Sequence, residues 1–425
     1  MLFKKVLYII QSRRLQEEWY SAVTNAALYL AIGGFLETAN KLLEALWKYN
    51  LPHDRNTWLH DKAFEILWYA KGERPKKVPF KKINIDELEL LHRDYISPSW
   101  AQYANSIEGN PFLQAMSLAK TINEKLPNNQ TEKKALAYLK KYFQDLEEES
   151  TGYHTCQAIS LTTELAAKNK ETNFSIKFLK QWAKSFNKQP FHNCQVLVGC
   201  NRHVAPLLLN GIIKNEIGLT KEICGDFLTN AVAAIDRRMK NGVSLVYGDL
   251  TWEKLISKLS ELSIKIEPKD FTAKQKKENW IGKQPSSEFT IARSEQRLGI
   301  QLPNEYREFL KASNGLSPFP YKNPELIAIE KIDYLKKSYF DLYGDLDLFP
   351  CDFLTEDGQG DISKYIERAI AISLLPDEQE IWLIPPKLNN DEWECWFFAS
   401  WLPGVRQYKN FRYFIEEQVQ NLEGE

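Results

Sequence analysis

The sequence predicts two folds in one chain: an all-α N-terminal domain of stacked helical hairpins, and a C-terminal α+β domain with an antiparallel sheet. Apolar residues recur at helical spacing from Ser12 to about Leu262, and strand-like alternation is scarce there. After Pro285 two short helices, several β-rich runs and a closing amphipathic stripe follow one another, an order typical of α+β domains. We therefore predict a helical domain at 1–266 and an α+β domain at 285–425.

Turn-forming residues divide the helical region into some nine to eleven predicted helices. The stretch 18–52 resembles a tetratricopeptide-type helix pair, with Gly33-Gly34 between its helices and Pro52 at its end. No second copy follows at the 34-residue period, so a generic helical hairpin remains the alternative. Residues 267–284 are polar and lysine-rich without apolar periodicity, and this pattern predicts a linker.

The C-terminal domain opens with two predicted helices. A serine N-cap at Ser286 or Ser287 begins the first, which ends at Gly299, a residue that tolerates the left-handed conformation. Pro303 begins the second, which ends at Asn314-Gly315.

Strands and a final helix follow. Two β-rich runs, Ala369–Leu375 and Glu380–Ile384, are joined by the turn residues 376–379 and predict a hairpin. Trp393–Trp401 supplies a third strand. Apolar residues at i, i+3, i+4, i+7, i+8 and i+11 then predict an amphipathic helix over 411–422.

Composition is that of an ordinary globular chain. The 425 residues include 55 Lys+Arg against 56 Asp+Glu and are 44% hydrophobic, which excludes collagen-like, low-complexity and disordered classes. The six cysteines are sparse and irregularly spaced, unlike a disulfide framework. Neither a secretory leader nor an 18-residue uncharged apolar run is found in the sequence, so we expect a soluble, cytoplasmic protein without a membrane partner.

The near-zero net charge conceals an asymmetry. Residues 285–425 carry 14 Lys+Arg and 25 Asp+Glu, a charge of −11, which leaves 41 and 31, or +10, for residues 1–284. The two parts are therefore expected to face different partners, and the acidic part is a poor candidate for nucleic-acid binding.

Motifs for catalysis or cofactor binding are absent from the sequence. A Walker A loop and the HExxH, GxSxG and GxGxxG patterns do not occur, so we predict no catalytic residue, cofactor or metal. Three histidines and three cysteines nevertheless fall within 50 residues, at a spacing unlike a familiar zinc knuckle, and cysteine in an apolar run commonly packs as a small hydrophobe. These residues, whose clustering in space is left open, are His154, Cys156, His192, Cys194, Cys200 and His203.

One basic stretch could contact phosphates or could simply be solvated between two helices, and we predict no direct nucleic-acid partner. Its basic residues are Lys71, Arg74, Lys76, Lys77, Lys81 and Lys82.

The C-terminal domain opens with a compact motif, made up of Ile291, Glu295, Leu298-Gly299-Ile300, Leu302-Pro303, Tyr306, Phe309-Leu310 and Asn314-Gly315. This motif resembles the opening of the SUKH superfamily. In those proteins a helix carrying a glutamate runs into Leu-Gly-Ile, then Leu-Pro, a helix with a tyrosine, and Asn-Gly. Later elements over 329–334, 370–384 and 408–422 fall in the expected order, so the resemblance spans 285–425.

The resemblance implies a binding function. Bacterial SUKH proteins look like immunity proteins that neutralise a cognate toxin, often a nuclease, and fungal relatives regulate cell-wall assembly through protein contacts. An acidic face can occupy the basic groove of a nuclease and accelerate association. We favour as partner-binding residues the carboxylates at the hairpin turn and near the third strand, beside an aromatic anchor: Asp377, Glu378, Glu380, Asp391, Glu392, Trp393 and Glu394.

The leading hypothesis is therefore a non-enzymatic immunity protein that binds a basic toxin, a nuclease being one class. The main alternative is a regulatory or scaffold adaptor built from helical-repeat and SUKH-like modules. A third hypothesis is an enzyme whose active site lies in the helical domain. For the partner-binding site, the alternative is that the favoured carboxylates are solvated surface residues without a partner.

Overall fold

A computed structural model describes residues 2–13, 16–51, 58–96, 110–122, 125–144, 153–185, 201–335, 365, 368–374, 379–386, 392–399 and 405–423. The chain forms two compact units. The helical unit is Gln16–Lys240, and the C-terminal unit combines Met1–Leu15 with Asn241–Glu425.

The helical unit is built from consecutive helices that pack in pairs. Its helices are α2 (Gln16–Ile32), α3 (Leu36–Trp47), α4 (Trp58–Lys71), α5 (Ile85–Ile96), α6 (Pro111–Ala119), α7 (Asn129–Gln144), α8 (Tyr153–Lys168), α9 (Thr172–Ser185), α10 (Ala205–Leu209) and α11 (Lys221–Asn241). The pairs α2 and α3, α6 and α7, and α8 and α9 pack closely, and α4 packs on α2 and α10. This arrangement agrees with the predicted stack of helical hairpins.

The turn between α2 and α3 depends on glycine. Gly34 has φ +89°, and a Cβ built on it would lie 2.6 Å from the Cα of Gly211. Since L-residues rarely adopt that conformation and real Cβ atoms do not approach so closely, both the left-handed backbone and the contact with the turn after α10 require glycine at this position.

A buried ionic network links three helices of this unit. The Arg93 guanidinium of α5 is 1% exposed and donates to Glu132 of α7 and to Glu164 of α8, at 3.0 and 2.5 Å. Lys168 also reaches Glu132, at 2.9 Å. The carbonyl of Ala119 accepts a further hydrogen bond from Arg93 at 3.0 Å. The network matters to stability because a buried charge that loses its partner is strongly destabilising.

The C-terminal unit joins helices to an antiparallel sheet. Its elements are α1 (Leu2–Ser12), α12 (Trp252–Ile266), a 3₁₀ turn (Pro268–Asp270), α13 (Ala273–Glu278), α14 (Glu288–Leu298), α15 (Asn304–Ala312), β1 (Asp333–Tyr334), β2 (Ile370–Ala371), β3 (Gln379–Ile384), β4 (Glu394–Ala399), β5 (Val405–Tyr408) and α16 (Phe411–Glu423). Within the described residues the sheet has five strands in the order β1-β2-β3-β4-β5, all antiparallel. The predicted fold class, an all-α region followed by an α+β domain, is confirmed.

The two faces of the sheet are buried in different clusters. Ile381 and Leu383 of β3 and Cys395 of β4 belong to the main core, together with residues of α12, α14, α15 and α16. The alternate residues Trp382 and Trp396, which pair directly across β3 and β4, belong to a smaller cluster on the opposite face. Side chains of successive strand residues point to opposite faces, so the near-continuous apolar character of β3 and β4 reflects burial on both sides.

Local signals predicted several boundaries closely. The Ser287 hydroxyl accepts a hydrogen bond from the Thr290 N–H at the start of α14, and Gly299 ends that helix with φ +67°. β2 is shorter than the predicted strand, and Gln379 lies in β3 rather than in the turn.

The C-terminal unit extends beyond residue 285 toward the N-terminus. Residues 267–284, predicted as a linker, contain the 3₁₀ turn and α13, and Phe271 and Ile281 are buried in the main core. The Ile281 N–H donates to the Ser260 hydroxyl at 3.1 Å. Burial of Phe271 and Ile281 therefore ties this segment to the core although it carries no apolar periodicity.

The first helix also belongs to this unit, so the observed units differ from the boundary suggested at residue 266. α1 packs on α16, and Arg13 forms a 2.7 Å ion pair with the buried Glu417. The Ser244 N–H donates to the Gln11 carbonyl at 3.0 Å. Sequence periodicity cannot reveal that an N-terminal helix packs against the last helix of the chain.

Candidate partner-binding site

An exposed carboxylate lies beside an aromatic side chain at the start of β4. Trp393 is partly buried and packs against the main core of the C-terminal unit. The Glu392 side chain is 68% exposed, and its carboxylate lies 3.5 Å from the Lys409 ammonium, which is also well exposed. Because solvent screens such a pair, the ion pair contributes little and leaves the carboxylate available to a partner.

A second carboxylate, in the first turn of α15, lies within electrostatic reach of Glu392. The pKa of Glu305 is raised to about 7, and burial is the largest cause. The hydrogen bond from the Arg412 N–H and the Arg412 charge lower it, while the charges of Glu392 and Glu416 raise it. The Arg412 N–H lies 2.5 Å from the Glu305 carboxylate. The site therefore combines an exposed carboxylate with a largely buried one whose pKa lies near neutral pH.

Arg412 fixes the helices around this site. Its guanidinium donates to the carbonyls of Tyr247 and Leu250, at 2.7 and 2.6 Å, and to Glu416 at 3.2 Å. It also lies 5.2 Å from the centre of the Trp252 ring. Arg412 thus has a structural role, since its contacts join α16 to the segment that precedes α12.

Glu380 and Glu394 occupy structural positions. Glu380 is 3% exposed and accepts a hydrogen bond from Trp382 Nε1 at 2.8 Å, while burial raises the pKa of its carboxyl to about 7. Glu394 is partly buried and accepts from Trp396 Nε1, also at 2.8 Å. Each glutamate lies two residues before the tryptophan that it contacts, on the same face of the sheet. Glu380 therefore presents no carboxylate at the surface.

Three of the predicted partner-binding residues lie outside the described residues: Asp377, Glu378 and Asp391. Of the seven, the structure therefore places Glu392 exposed and Trp393 partly buried just before β4, and Glu380 in the interior. The structure adds Glu305 and Lys409 to this site. Sequence spacing gave no signal for them, since they lie 87 and 17 residues from Glu392 and meet it only through the fold.

Most of the histidines and cysteines singled out in the sequence lie outside the described residues. His192, Cys194 and Cys200 are not described, and neither are the side chains of His154 and Cys156 in α8. His203 is described, and its Nε2 lies 3.4 Å from Glu89. Among the residues that the structure describes, no group of three or more His, Cys, Asp or Glu side chains could bind a metal ion.

Within the described ranges, none of the helices combines the length and the apolar character needed to cross a bilayer.

Comparison with known proteins gives one family. No curated protein matches the chain. The model of the SMI1 / KNR4 family (SUKH-1) matches residues 285–417, which include α14, α15, all five strands and the first half of α16. The match agrees with the resemblance carried by Glu295, Leu298-Gly299-Ile300 and Tyr306. The C-terminal third of this chain is therefore similar to the SMI1 / KNR4 family (SUKH-1).

Proposed function

We propose that the chain is a non-enzymatic immunity protein whose SUKH-1 domain binds and neutralises a bacterial toxin. The observation that carries the proposal is the exposed Glu392 beside the Trp393 aromatic anchor, in a domain of a family with immunity and regulatory members. Interfaces take most of their binding energy from a few anchors of this kind, with aromatic residues enriched among them.

Charge favours a basic partner. The region from residue 285 onward carries −11 by sequence, although Glu416 and Glu417 are buried and paired with arginines. The remaining field attracts a protein that itself presents a basic groove, and it accelerates encounter at low salt. A nuclease has such a groove because it binds phosphates, so a nuclease toxin is the partner class that fits best.

Binding should also release protons. A cation placed beside Glu392 stabilises the ionised form of Glu305, so the pKa of Glu305 falls when the complex forms. From a pKa of about 7, the free protein would release up to about half a proton per complex at pH 7. Calorimetric titration in two buffers of different ionisation enthalpy measures this number, and the Glu305→Gln variant should release fewer protons than the wild type.

The direct test is capture of the partner from the native host. Tagged full-length chain should retain one basic toxin domain at low salt and lose it at high salt. The double variant Glu392→Lys with Trp393→Ala should fail to retain the partner at both salt concentrations. A matched control changes Glu261, an exposed residue of α12, to lysine and the partly buried Trp280 to alanine, and it should bind as the wild type does. Capture of several housekeeping or envelope proteins, unaffected by the double variant, would reject the proposal.

A regulatory adaptor is the second candidate function. The observation that favours it is the size of the helical unit, since Gln16–Lys240 makes up more than half of the chain and lies outside the family match. An adaptor would bind a second protein through that unit. In the capture experiment, partners that persist after the double change at Glu392 and Trp393 would favour this candidate.

A further inference from the structure

A loop rich in exposed lysines joins α4 to α5 in the helical unit. We call residues 71–82 the lysine loop. Its exposed lysines form no ion pair with any residue in the described part of the chain, and Glu73 is the one carboxylate in the loop itself. These lysines are Lys71, Lys76, Lys77, Lys81 and Lys82. The loop is therefore a local concentration of uncompensated positive charge.

The single arginine of the loop points inward. Arg74 is paired with the 2%-exposed Glu65 at 2.7 Å, and it donates to the Phe80 carbonyl at 3.2 Å. Its guanidinium lies 5.6 Å from the Trp68 ring centre and 5.8 Å from that of Phe80. The basic stretch recognised in the sequence thus contains two different kinds of residue: an arginine that stabilises the loop, and lysines that face solvent.

Aromatic stacking fixes the two arms of the loop together. The rings of Trp68 and Phe80 stack at 6.1 Å with an interplanar angle of 15°, and Trp47 contacts both edge-on. Trp68 Nε1 donates to Asn40 at 2.9 Å. Because both ends are anchored, the like-charged lysines are kept near one another on an ordered backbone, where a flexible loop would let them separate.

An exposed aromatic ring lies close in sequence to these lysines. Tyr69 is 64% exposed in the last turn of α4, two residues before Lys71. Exposed rings beside a positively charged track are the platforms on which unpaired bases stack.

We propose that the lysine loop and Tyr69 bind a single-stranded nucleic acid, with the lysines contacting backbone phosphates and the tyrosine stacking on a base. The proposal concerns the helical unit and does not rest on the proposed immunity function. It departs from the sequence-based expectation of no nucleic-acid partner, because within the described ranges these lysines form no ion pair and Arg74 orders the loop.

Lysine chemistry favours phosphate over an acidic protein. Protein interfaces are depleted in lysine and enriched in arginine, and the one arginine of this loop is turned inward. A lipid surface is disfavoured because the exposed part of the loop offers no apolar cluster to enter a bilayer. A single strand is preferred to a duplex because only unpaired bases can stack on Tyr69.

The proposal predicts how strongly RNA affinity should depend on salt concentration. Each phosphate neutralised on a single strand contributes about −0.7 to the slope of log K against log salt, so five lysines would give about −3.5. Affinity should then fall about 100-fold between 50 and 200 mM salt.

The test uses full-length chain and a fluorescein-labelled 20-nucleotide single-stranded RNA of mixed sequence, with anisotropy measured at 50, 100 and 200 mM KCl. The quadruple variant Lys76→Gln, Lys77→Gln, Lys81→Gln, Lys82→Gln should weaken binding at least tenfold and reduce the slope to about −0.7. Tyr69→Ala should weaken binding about tenfold while leaving the slope unchanged, since stacking releases no counterions.

A matched control removes the same charge elsewhere. Lys269, Lys274, Lys276 and Lys277 are exposed lysines of the C-terminal unit, and their change to glutamine should leave RNA affinity within twofold of the wild type. An equal loss of RNA affinity in both quadruple variants would overturn the proposal, because RNA binding would then depend on net charge and not on the lysine loop. Lack of RNA binding at 50 mM salt would also overturn it, as would stronger binding to polyglutamate or to anionic vesicles than to RNA.

Discussion

Replacement of Arg93 by methionine should destabilise the helical unit more than any exposed substitution. The change keeps most of the side-chain volume but leaves Glu164 and Glu132 in an interior where both are at most 2% exposed. Breaking a buried ion pair by removing one partner costs about 3–5 kcal/mol, because the remaining charge loses its compensation. Lys168 still reaches Glu132, so most of this cost falls on Glu164.

A double-mutant cycle separates charge from packing. Glu164→Gln removes the charge that Arg93→Met leaves behind, so the double variant should recover about 1–3 kcal/mol relative to the sum of the single changes. Hydrogen exchange followed peptide by peptide is the suitable assay, because a chain with two units has no single free energy of unfolding. In the Arg93→Met variant, protection from hydrogen exchange should fall in α5, α7 and α8 and stay unchanged in the C-terminal unit. Additive effects in the double-mutant cycle would refute the role assigned to the ionic network. A loss of less than about 1 kcal/mol in the stability of the helical unit for Arg93→Met would refute it too.

Three further outcomes follow from the C-terminal unit. Glu380 has a folded-state pKa of about 7, above its ordinary value, so the folded state binds more protons than the unfolded state and stability falls as pH rises from about 5 to about 7. Glu380→Gln should reduce this dependence to the part that Glu305 contributes and should raise the stability of the C-terminal unit at pH 8 by up to about 3 kcal/mol. Hydrogen exchange of that unit measures both effects, and an unchanged pH profile would contradict the prediction. Phe271→Ala should cost about 3–5 kcal/mol in the same assay, whereas no loss would mean that 267–284 is a linker after all. Arg13→Ala leaves Glu417 with one fewer cation and should expose α1 to faster hydrogen exchange, and unaltered exchange in α1 would show that the ion pair does not fix it.

Local chemistry explains what the sequence predicted well. The Ser287 cap, the Gly299 helix end and the Pro303 helix start act over a few residues, so each can be recognised without knowing the fold. The apolar stripe of α16 was equally visible, because burial of one face imposes a period of 3.6 residues. A missed local signal lies in the linker, where Thr272 and Gln275 form a capping box.

Long-range pairing explains what the sequence did not predict. Arg93 meets its carboxylates 39 and 71 positions away, and neither spacing is periodic. Glu380 and Glu392 are both carboxylates near predicted strand ends, yet one is buried against Trp382 and the other is exposed. Glu380 lies within β3 and is covered, whereas Glu392 precedes β4 and is open to solvent, and residue type alone does not reveal this difference.

Neutralisation of the captured toxin is the most direct measure of the proposed immunity function. When the activity of purified toxin is titrated with full-length chain, inhibition should be complete at one chain per toxin. The Glu392→Lys, Trp393→Ala variant should leave the toxin active at the same ratio, and the Glu261→Lys, Trp280→Ala control should inhibit like the wild type. Full inhibition by the double variant, or no inhibition by the wild-type chain, would contradict the account.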